Sequence, residues 1–381
     1  MDLLDCAYWQ SGRCRSCTLI ETPYSRQLAD KDAAARARLA SVPREVWEDP
    51  QASAPAHFRN KAKLVIGGAV GEVSVGILDE RRHGVDLRDC RLHEEGLRRA
   101  IHAVAGVIDE LRLVPYDIPS RRGELKYALL THSPDGGLML RLVLRTRHHL
   151  ERIRARLDLV QAALPTATVI SVNIHPEHKA VLEGDEEMVL TPQSTLPVRV
   201  NDVELHLGVR SFFQTNTQVA AALYRTAREW TSPLHPGTIA DLYCGVGGFA
   251  LNAALAKGAR PRRVEGVEVA PDAVASARAA AADLDVDAHF RVGDASALED
   301  VRADLVVVNP PRRGIDTLAT DLERSGTPFV LYSSCHARSL AKDLEQMPSL
   351  RPVRAQLFDM FPQTGHSEIL VLLAREPATP R

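Results

Sequence analysis

A glycine-rich turn inside an apolar segment constrains the fold of this chain more than any other feature. The run Thr238-Ile-Ala-Asp-Leu-Tyr-Cys244 leads into Gly245-Val-Gly247-Gly248, and from Phe249 the composition becomes helical. Glycine allows a sharp turn and a close approach of the backbone to a ligand. A strand, a glycine turn and a helix in this order are typical of α/β folds that bind nucleosides. The turn alone leaves a methyl donor and NAD as alternative ligands.

The rest of the C-terminal half continues the same alternation of strands and helices. Its strands carry hydrophobic residues almost without interruption, and an alanine-rich helix separates two of them. This pattern indicates a parallel sheet covered by helices on both faces. We therefore predict an α/β Rossmann-like domain over residues 206–381. Further strands are expected near residues 263–269, 289–294, 303–309, 329–333, 354–360 and 369–374.

The N-terminal half is less regular and indicates an α+β domain over residues 1–205. Alternating segments at 61–76 and 138–145 resemble strands, as does 169–175, whereas 97–111 and 150–164 resemble helices. Residues 20–49 have helical character, and we expect that this segment can dock on the catalytic domain.

Composition excludes some partners and leaves others open. The formal net charge is -2, so no global basic field indicates nucleic acid, although local clusters such as Arg121-Arg122 can bind phosphate. No apolar run approaches the roughly 18 residues of a membrane helix. The N-terminus lacks a signal-peptide pattern. We expect a cytoplasmic protein with no membrane or DNA partner.

Three polar residues end successive predicted strands and suit a nucleoside ligand. Glu268 ends the second strand, 20 residues after Gly248, where a carboxylate can accept hydrogen bonds from both ribose hydroxyls. Asp294 ends the third strand and is a candidate partner of the adenine amino group. Asn309 precedes two prolines that end the fourth strand.

Cys335 and Glu368 indicate covalent catalysis. Cys335 follows an apolar strand and precedes a predicted helix, whose N-terminus is expected to lower the pKa of the thiol. A thiolate that adds to carbon 6 of uracil makes carbon 5 nucleophilic toward a methyl sulfonium. A base must then remove the carbon 5 proton, and Glu368 suits that role. We expect burial to raise the pKa of this carboxyl.

Four cysteines cluster outside the predicted catalytic domain. The spacing of Cys6, Cys14 and Cys17, with Cys90 later, indicates a metal site rather than disulfides in a cytoplasmic protein. Spacing alone does not separate tetrahedral zinc from a [4Fe-4S] cluster.

Several motifs resemble the RNA uracil-5-methyltransferase family. They occur in the family's order over residues 206–381, with Tyr243 where Phe is usual and Asn309 where other branches carry Asp. The motifs are Asp-Leu-Tyr-Cys-Gly-Val-Gly-Gly-Phe from Asp241, Asn-Pro-Pro-Arg-Arg-Gly from Asn309, Ser-Ser-Cys335, and Phe-Asp-Met-Phe-Pro-Gln-Thr-Gly-His-Ser-Glu ending at Glu368.

The resemblance implies a set of roles for individual residues. It implies that Cys335 is the nucleophile and Glu368 the proton acceptor. It also implies that the cofactor S-adenosylmethionine contacts Gln214, Tyr243, Glu268 and Asn309. The family's bacterial rRNA members carry a [4Fe-4S] cluster, which the resemblance places on Cys6, Cys14, Cys17 and Cys90.

The resemblance also implies an RNA partner. It is closest to the members that methylate uracil 747 of 23S rRNA, and Arg59, Lys61, Arg121, Arg122 and Lys126 resemble the central domain of these rRNA enzymes. Because the cysteine motif begins at Cys6, we expect no β-barrel domain like that of the uracil-1939 enzyme. The target base must be flipped out of its stack, which favours a loop uracil.

Other functions stay open at this point. The alternative targets are uracil 1939 of 23S rRNA and a tRNA uracil. Asn309-Pro-Pro also resembles the motif of amino-methyltransferases that act on adenine or cytosine, but these need an aromatic residue where Arg312 stands. A non-catalytic rRNA-binding assembly factor is the alternative from another class.

Overall fold

The computed structural model describes residues 3–179, 181–255, 263–295 and 302–376. The helices are α1 Ala7–Gln10, α2 Tyr24–Arg38, α3 Glu95–Glu110, α4 Leu150–Ala155, α5 Leu157–Ala163, α6 Thr217–Thr231, α7 Gly248–Ala254, α8 Pro271–Leu284, α9 Thr317–Arg324 and α10 Ala337–Glu345. The strands are β1 Lys61–Ala69, β2 Glu72–Leu78, β3 Gly84–Asp86, β4 Leu125–His132, β5 Leu138–Leu144, β6 Ala167–Ile174, β7 Glu186–Val189, β8 Thr195–Val200, β9 Val203–Gly208, β10 Thr238–Leu242, β11 Arg263–Glu268, β12 Ala288–Val292, β13 Leu305–Val308, β14 Phe329–Ser334, β15 Leu350–Phe358 and β16 Glu368–Arg375.

The chain forms two compact units, and neither is continuous in sequence. The catalytic unit contains Met1–Leu3, Thr18–Ala54 and Arg199–Arg381, and the central unit contains Leu4–Cys17 and Pro55–Val198. None of the helices that the structure describes has the length and apolar character needed to cross a membrane.

The central unit is built on a seven-stranded sheet with the order β3-β2-β1-β4-β5-β6-β7. Helix α3 packs an apolar face on it, because Leu97, Ile101, Val104 and Ile108 recur at helical spacing and are fully buried. The alternating segment 61–76 is a hairpin rather than one strand, since Gly71 turns the chain at φ 92°. The helix predicted at 150–164 is two short helices that break at Arg156.

The catalytic unit contains the predicted Rossmann-like sheet, with the order β12-β11-β10-β13-β14-β16-β15. Its first five strands run parallel, and β16 lies antiparallel between β14 and β15. The strand order changes direction beside β10, whose neighbours are β11 and β13. In such sheets ligands bind beyond the carboxyl ends of the strands at this position.

The segment 18–54 belongs to the catalytic unit although it precedes the central unit in sequence. Its stretch after α2 runs along the edge strand β15, where the N–H groups of Glu48 and Gln51 donate to the carbonyls of Ala355 and Leu357. Residues Leu39, Val42 and Trp47 join the core that fills one side of the sheet. The segment therefore covers a sheet edge that would otherwise expose unpaired backbone groups.

Candidate active site

Six predicted site residues lie at one edge of the catalytic sheet. Each directly follows or ends a parallel strand, except the last, which begins the antiparallel strand β16 at the same edge. They are Tyr243 after β10, Glu268 ending β11, Asp294 after β12, Asn309 after β13, Cys335 after β14 and Glu368 opening β16. The seventh, Gln214, is buried in the loop that leads into α6. The strand order therefore explains why residues 125 positions apart in sequence share one edge.

The glycine turn has the sharp, positive-φ backbone that the sequence indicated. Gly247 has φ 88° and stands immediately before α7. Gly248 has no room for a side chain, since a Cβ there would lie 2.5 Å from the Tyr224 hydroxyl oxygen. Tyr243 also has a positive φ, 67°, a backbone conformation that is uncommon for a non-glycine residue.

Glu268 is held in place by the backbone of the turn. Its Oε2 accepts the N–H of Gly245 at 3.2 Å, and its Oε1 accepts the N–H of Ala270 at 3.0 Å. A carboxylate offers about four lone-pair positions, so each oxygen keeps capacity for a further donor. The side chain is half-buried and is thus both oriented and accessible.

Asp241 is a buried acid whose importance the sequence did not reveal. It is fully buried at the end of β10, and its Oδ2 accepts the N–H of Ala250 at 2.9 Å. Its Oδ1 is buried without a hydrogen-bond partner among the described residues. Burial raises the pKa of this carboxyl to about 8, against the effect of the Ala250 hydrogen bond. In the sequence, Asp241 could not be distinguished from an ordinary polar residue of an alternating β-strand.

Asp294 and Asn309 border the same turn. Asp294 is exposed, and Asn309 is half-buried directly after β13. Burial, with a smaller contribution from the negative charge of Asp294, raises the pKa of the Tyr243 hydroxyl. Tyr243 and Asp294 therefore lie close enough at the sheet edge for the charge of Asp294 to act on the Tyr243 hydroxyl.

The register of β14 and β16 brings Cys335 and Glu368 together. Ser333 pairs with Leu370 and Ser334 with Ile369, the last pair of the ladder, so Cys335 just past the end of β14 continues this register toward Glu368. The charge of Glu368 acts on the Cys335 thiol, which agrees with this placement. Directly opposed residues of antiparallel strands project to the same face, with Cβ atoms roughly 5 Å apart. The nucleophile and the base predicted from sequence are thus cross-strand neighbours.

Burial keeps Glu368 partly protonated near neutral pH. The side chain is 2% exposed, and its Oε1 accepts the Ser333 hydroxyl proton at 2.5 Å. Burial raises the pKa of this carboxyl to about 7, although the Ser333 hydrogen bond opposes the shift. This confirms the expected raised pKa, and a group with such a pKa exchanges a proton readily at neutral pH.

The pKa of Cys335 is raised, whereas the sequence predicted that it would be lowered. Burial is the main cause and the charge of Glu368 the second, while a hydrogen bond from Arg312 and its positive charge oppose them. The prediction was wrong because it did not include burial, which is the largest effect on this thiol. The helix begins at Ala337, with His336 as its N-cap. Arg312 also donates from Nη2 to Nδ1 of His366 at 3.0 Å.

An Arg312→Met variant should show a less reactive Cys335. Removing the guanidinium removes the charge that stabilises the thiolate, so the pKa of Cys335 rises further. A rise of one unit slows alkylation about tenfold below the pKa. Iodoacetamide labelling at pH 8, quantified by mass spectrometry of the Cys335 peptide, measures the rate. Arg313→Met removes the adjacent charge and serves as the control, and equal rates in the two variants would contradict the assignment.

Two aromatic residues near the site have different environments. Tyr332 is fully buried and donates its hydroxyl proton to Asp343 at 2.6 Å, so it is a core residue. Phe361 is half-buried and packs edge-on against His366, with ring centroids 6.4 Å apart. Of the two, Phe361 is available to stack on a base.

A buried ion pair holds the loop between β15 and β16, which leads to Glu368. Lys31 Nζ in α2 donates to Asp359 Oδ1 at 2.7 Å and to the Phe361 carbonyl at 3.1 Å. Both side chains are almost completely buried. Gln27, one turn earlier in α2, exchanges two hydrogen bonds with Gln363 in the same loop. Helix α2 therefore braces the segment that positions the base.

A Lys31→Met variant should be destabilised by about 3–5 kcal/mol, because it leaves the buried Asp359 without a counter-ion. The double variant Lys31→Met/Asp359→Asn removes both charges and should regain most of that loss. Urea unfolding at pH 7, followed by circular dichroism, gives both values. A single variant as stable as the double variant would show that the ion pair does not stabilise the loop.

The four N-terminal cysteines do not form the predicted [4Fe-4S] site. Among the described residues, no group of three or more His, Cys, Asp or Glu side chains is arranged to hold a metal ion. Cys6, Cys14, Cys17 and Cys90 are all free thiols in the central unit. Burial, followed by the neighbouring thiols, raises the pKa of Cys17 to about 12, and burial raises that of Cys90. The iron-sulfur prediction, which rested on spacing and resemblance, was therefore wrong.

Comparisons with known proteins agree with the geometry of the catalytic unit. A family model described as tRNA (Uracil-5-)-methyltransferase matches residues 280–376, and one described as Methyltransferase small domain matches residues 219–323. The solved structure of Pyrococcus abyssi tRNA (uracil-54, C5)-methyltransferase, in complex with S-adenosyl-L-homocysteine, superposes with a TM-score of 0.77. It is 25% identical and covers 94% of this chain and 85% of that chain. The predicted Rossmann-like methyltransferase fold is thereby confirmed.

Curated relatives match over nearly the whole chain. The 23S rRNA (uracil(747)-C(5))-methyltransferase RlmC of Cronobacter sakazakii is 44% identical over 379 residues, which are 98% of this chain and 100% of that protein. The protein of the same name from Halothiobacillus neapolitanus is 44% identical with the same coverage. The family resemblance found in the motifs is therefore confirmed, and this chain belongs to the 23S rRNA (uracil(747)-C(5))-methyltransferase RlmC family.

Proposed function

We propose that this protein transfers a methyl group from S-adenosylmethionine to carbon 5 of a uracil in 23S rRNA. The observation that carries the proposal is the cross-strand pair of Cys335 and Glu368 at the ligand-binding edge of a methyltransferase sheet. Full-length relatives at 44% identity support the substrate class. The target uracil in this proposal is position 747, as in the names of those relatives.

The residues around the glycine turn fit S-adenosylmethionine, which supplies an electrophilic methyl group on its sulfonium. Glu268 has spare acceptor positions for ribose hydroxyls, and the turn lets the backbone approach a ligand closely. Gln214, Tyr243, Asn309 and Asp294 complete the proposed binding set.

Cys335 and Glu368 divide the chemistry between them. The Cys335 thiolate adds to carbon 6 of uracil, and the electron pair of the carbon 5–carbon 6 double bond moves to form an enolate. Carbon 5 then takes the methyl group, and the sulfonium keeps the bonding pair. Glu368 removes the carbon 5 proton, the double bond re-forms, and the carbon 6–sulfur bond breaks to release the thiolate.

The uracil must leave its stack to reach this pair, so a flipped base in an RNA loop is the proposed substrate. In the central unit, Arg121 and Arg122 are exposed and suit phosphate contacts. Lys126 does not suit them, because it is buried and donates to the Glu177 carbonyl at 2.6 Å. Since 23S rRNA is made and assembled in the cytoplasm of bacteria, the proposed location is cytoplasmic.

The test is methylation of unmodified 23S rRNA with isotope-labelled S-adenosylmethionine, followed by mass mapping of the modified nucleotide. The proposal expects 5-methyluridine at position 747. Label at position 1939, or in tRNA only, would change the target and keep the chemistry. Label on adenine or cytosine would refute uracil-C5 transfer, and binding without transfer would favour an assembly factor.

A further inference from the structure

A pocket beside Cys335 has one wall that comes from outside residues 206–381, the domain predicted from sequence. Cys335 and the loop residues Gly365 and His366 line one part of it, and the start of α10 lines another. The remaining wall is the C-terminal half of α2, where small Ala34 and Ala35 alternate with charged residues. All of these residues belong to the catalytic unit.

The three arginines of α2 differ in whether they form an ion pair and in whether they line this pocket. Arg26 forms an ion pair with Asp30 at 2.9 Å, and Arg36 forms one with Asp32 at 2.7 Å. Arg38, the only one of the three that lines the pocket, is exposed and has no ion-pair partner among the described residues. The other two arginines of α2 are paired within the helix, so the Arg38 guanidinium is the one that can bind a ligand in the pocket.

A second unpaired guanidinium faces the first from α10. Arg338 lines the same pocket, is exposed, and likewise has no ion-pair partner within the part of the chain that the structure describes. The pocket also contains His336 and His366, and Lys31 is occupied by Asp359. None of the described residues that line the pocket is a carboxylate, so its mouth is an electropositive region next to Cys335.

We infer that α2 is an RNA-binding wall of the active site, in which Arg38 and, from α10, Arg338 bind backbone phosphates next to the target uridine. The inference rests on the proposed function and names the residues that hold its substrate. Guanidinium groups bind phosphate through paired, charge-assisted hydrogen bonds. Such contacts position RNA without reading its sequence.

The anchoring of α2 makes this wall useful for catalysis. The Lys31–Asp359 ion pair and the Gln27–Gln363 hydrogen bonds fix α2 to the loop that leads to Glu368. A phosphate bound by Arg38 is therefore held at a set place relative to both catalytic groups. Positioning of this kind lowers the entropic cost of reaching the reactive geometry.

The experiment compares Arg38→Ala, Arg338→Ala and the double variant with Arg26→Ala. The control removes the same charge from the same helix, but its guanidinium is internally paired and lies outside the pocket. Binding to a fragment of unmodified 23S rRNA is measured without S-adenosylmethionine at several KCl concentrations. Each test variant should bind about threefold to fivefold more weakly. The slope of log Kd against log salt should fall by about 0.7 for each arginine removed.

Kinetics separate this role from a structural one. For Arg38→Ala, KM for RNA should rise by a larger factor than kcat falls, and Arg38→Lys should recover part of the binding because it keeps the charge. Affinity for S-adenosylmethionine and the thermal midpoint should match those of the wild type. If Arg38→Ala binds RNA as tightly as Arg26→Ala, and the wild type methylates a uracil, this inference is overturned and the proposed function stands. A wild type that methylates no uracil would overturn the proposed function, and this inference with it.

Discussion

A Cys335→Ala variant should lose methyl transfer to RNA by more than about 10⁴-fold, while its affinity for S-adenosylmethionine stays unchanged. Without the thiolate, carbon 5 of uracil stays a poor nucleophile. The other described thiol at this sheet edge, Cys244, is buried beneath the glycine turn. The proposed cofactor residues belong to other strands and do not depend on the Cys335 side chain. Labelled methyl transfer to 23S rRNA and calorimetric titration of the cofactor measure the two properties.

Ser334→Ala is the matched control for this variant. Ser334 precedes Cys335 on the same strand, projects to the opposite face, and uses its hydroxyl only for local contacts with His336. It should retain most of the activity. Substantial methylation by Cys335→Ala would instead support direct transfer to an amino group, as in the amino-methyltransferases whose motif Asn309-Pro-Pro resembles.

The placement of Cys335 and Glu368 at one sheet edge was predictable from sequence because each residue has a local signal. Cys335 ends an apolar strand, and Glu368 begins another, so both were expected at a sheet edge. What the sequence did not contain was the antiparallel pairing of β16 with β14, which makes them neighbours. It also could not show that burial raises the pKa of Cys335, since burial depends on side chains distant in sequence.

The role of α2 could not be worked out from hydrophobic periodicity. Its buried residues include Gln27 and Lys31, whose partners are an amide and a carboxylate more than 320 positions away. A helix that docks through polar groups has no apolar stripe to detect. For the four cysteines, the sequence predicted a site that the described residues do not form. Spacing along the chain does not determine whether thiols meet in the geometry that a cluster needs.

A Glu368→Gln variant should stop after methyl transfer and accumulate a covalent RNA–protein adduct. Glutamine cannot take the carbon 5 proton, so the carbon 6–sulfur bond to Cys335 is not released. Multiple-turnover activity should fall by about 10²–10⁴-fold, the usual contribution of a general base. Denaturing gel electrophoresis with labelled RNA detects the adduct. Its absence from the double variant Cys335→Ala/Glu368→Gln assigns the bond to that sulfur.

The same substitution should make the first step easier. The charge of Glu368 raises the pKa of Cys335, so its removal lowers that pKa and increases the thiolate fraction. Alkylation of Cys335 by iodoacetamide at pH 7 should therefore be faster in Glu368→Gln than in the wild type. A slower alkylation would contradict the proposed coupling between the thiol and the carboxyl.

The pH dependence of the wild type follows from the pKa of Glu368, about 7 in the folded protein and raised by burial from 4.5. Release of the adduct needs the unprotonated carboxylate, so its rate should fall about tenfold for each pH unit below 7. Between pH 4.5 and 7 the folded state holds a proton that the unfolded state has released. This carboxyl therefore lowers stability as the pH rises through that window.

Stability measurements then distinguish lost chemistry from lost folding. Glutamine carries no charge to bury and can still accept the Ser333 hydrogen bond, so Glu368→Gln should be more stable than the wild type at pH 8 by roughly 1–3 kcal/mol. At pH 5, where the wild-type carboxyl is protonated, the two proteins should differ little. Urea unfolding at the two pH values tests this. A variant that is inactive and yet more stable at pH 8 has lost a base, because a general disturbance of the site would lower stability at both pH values.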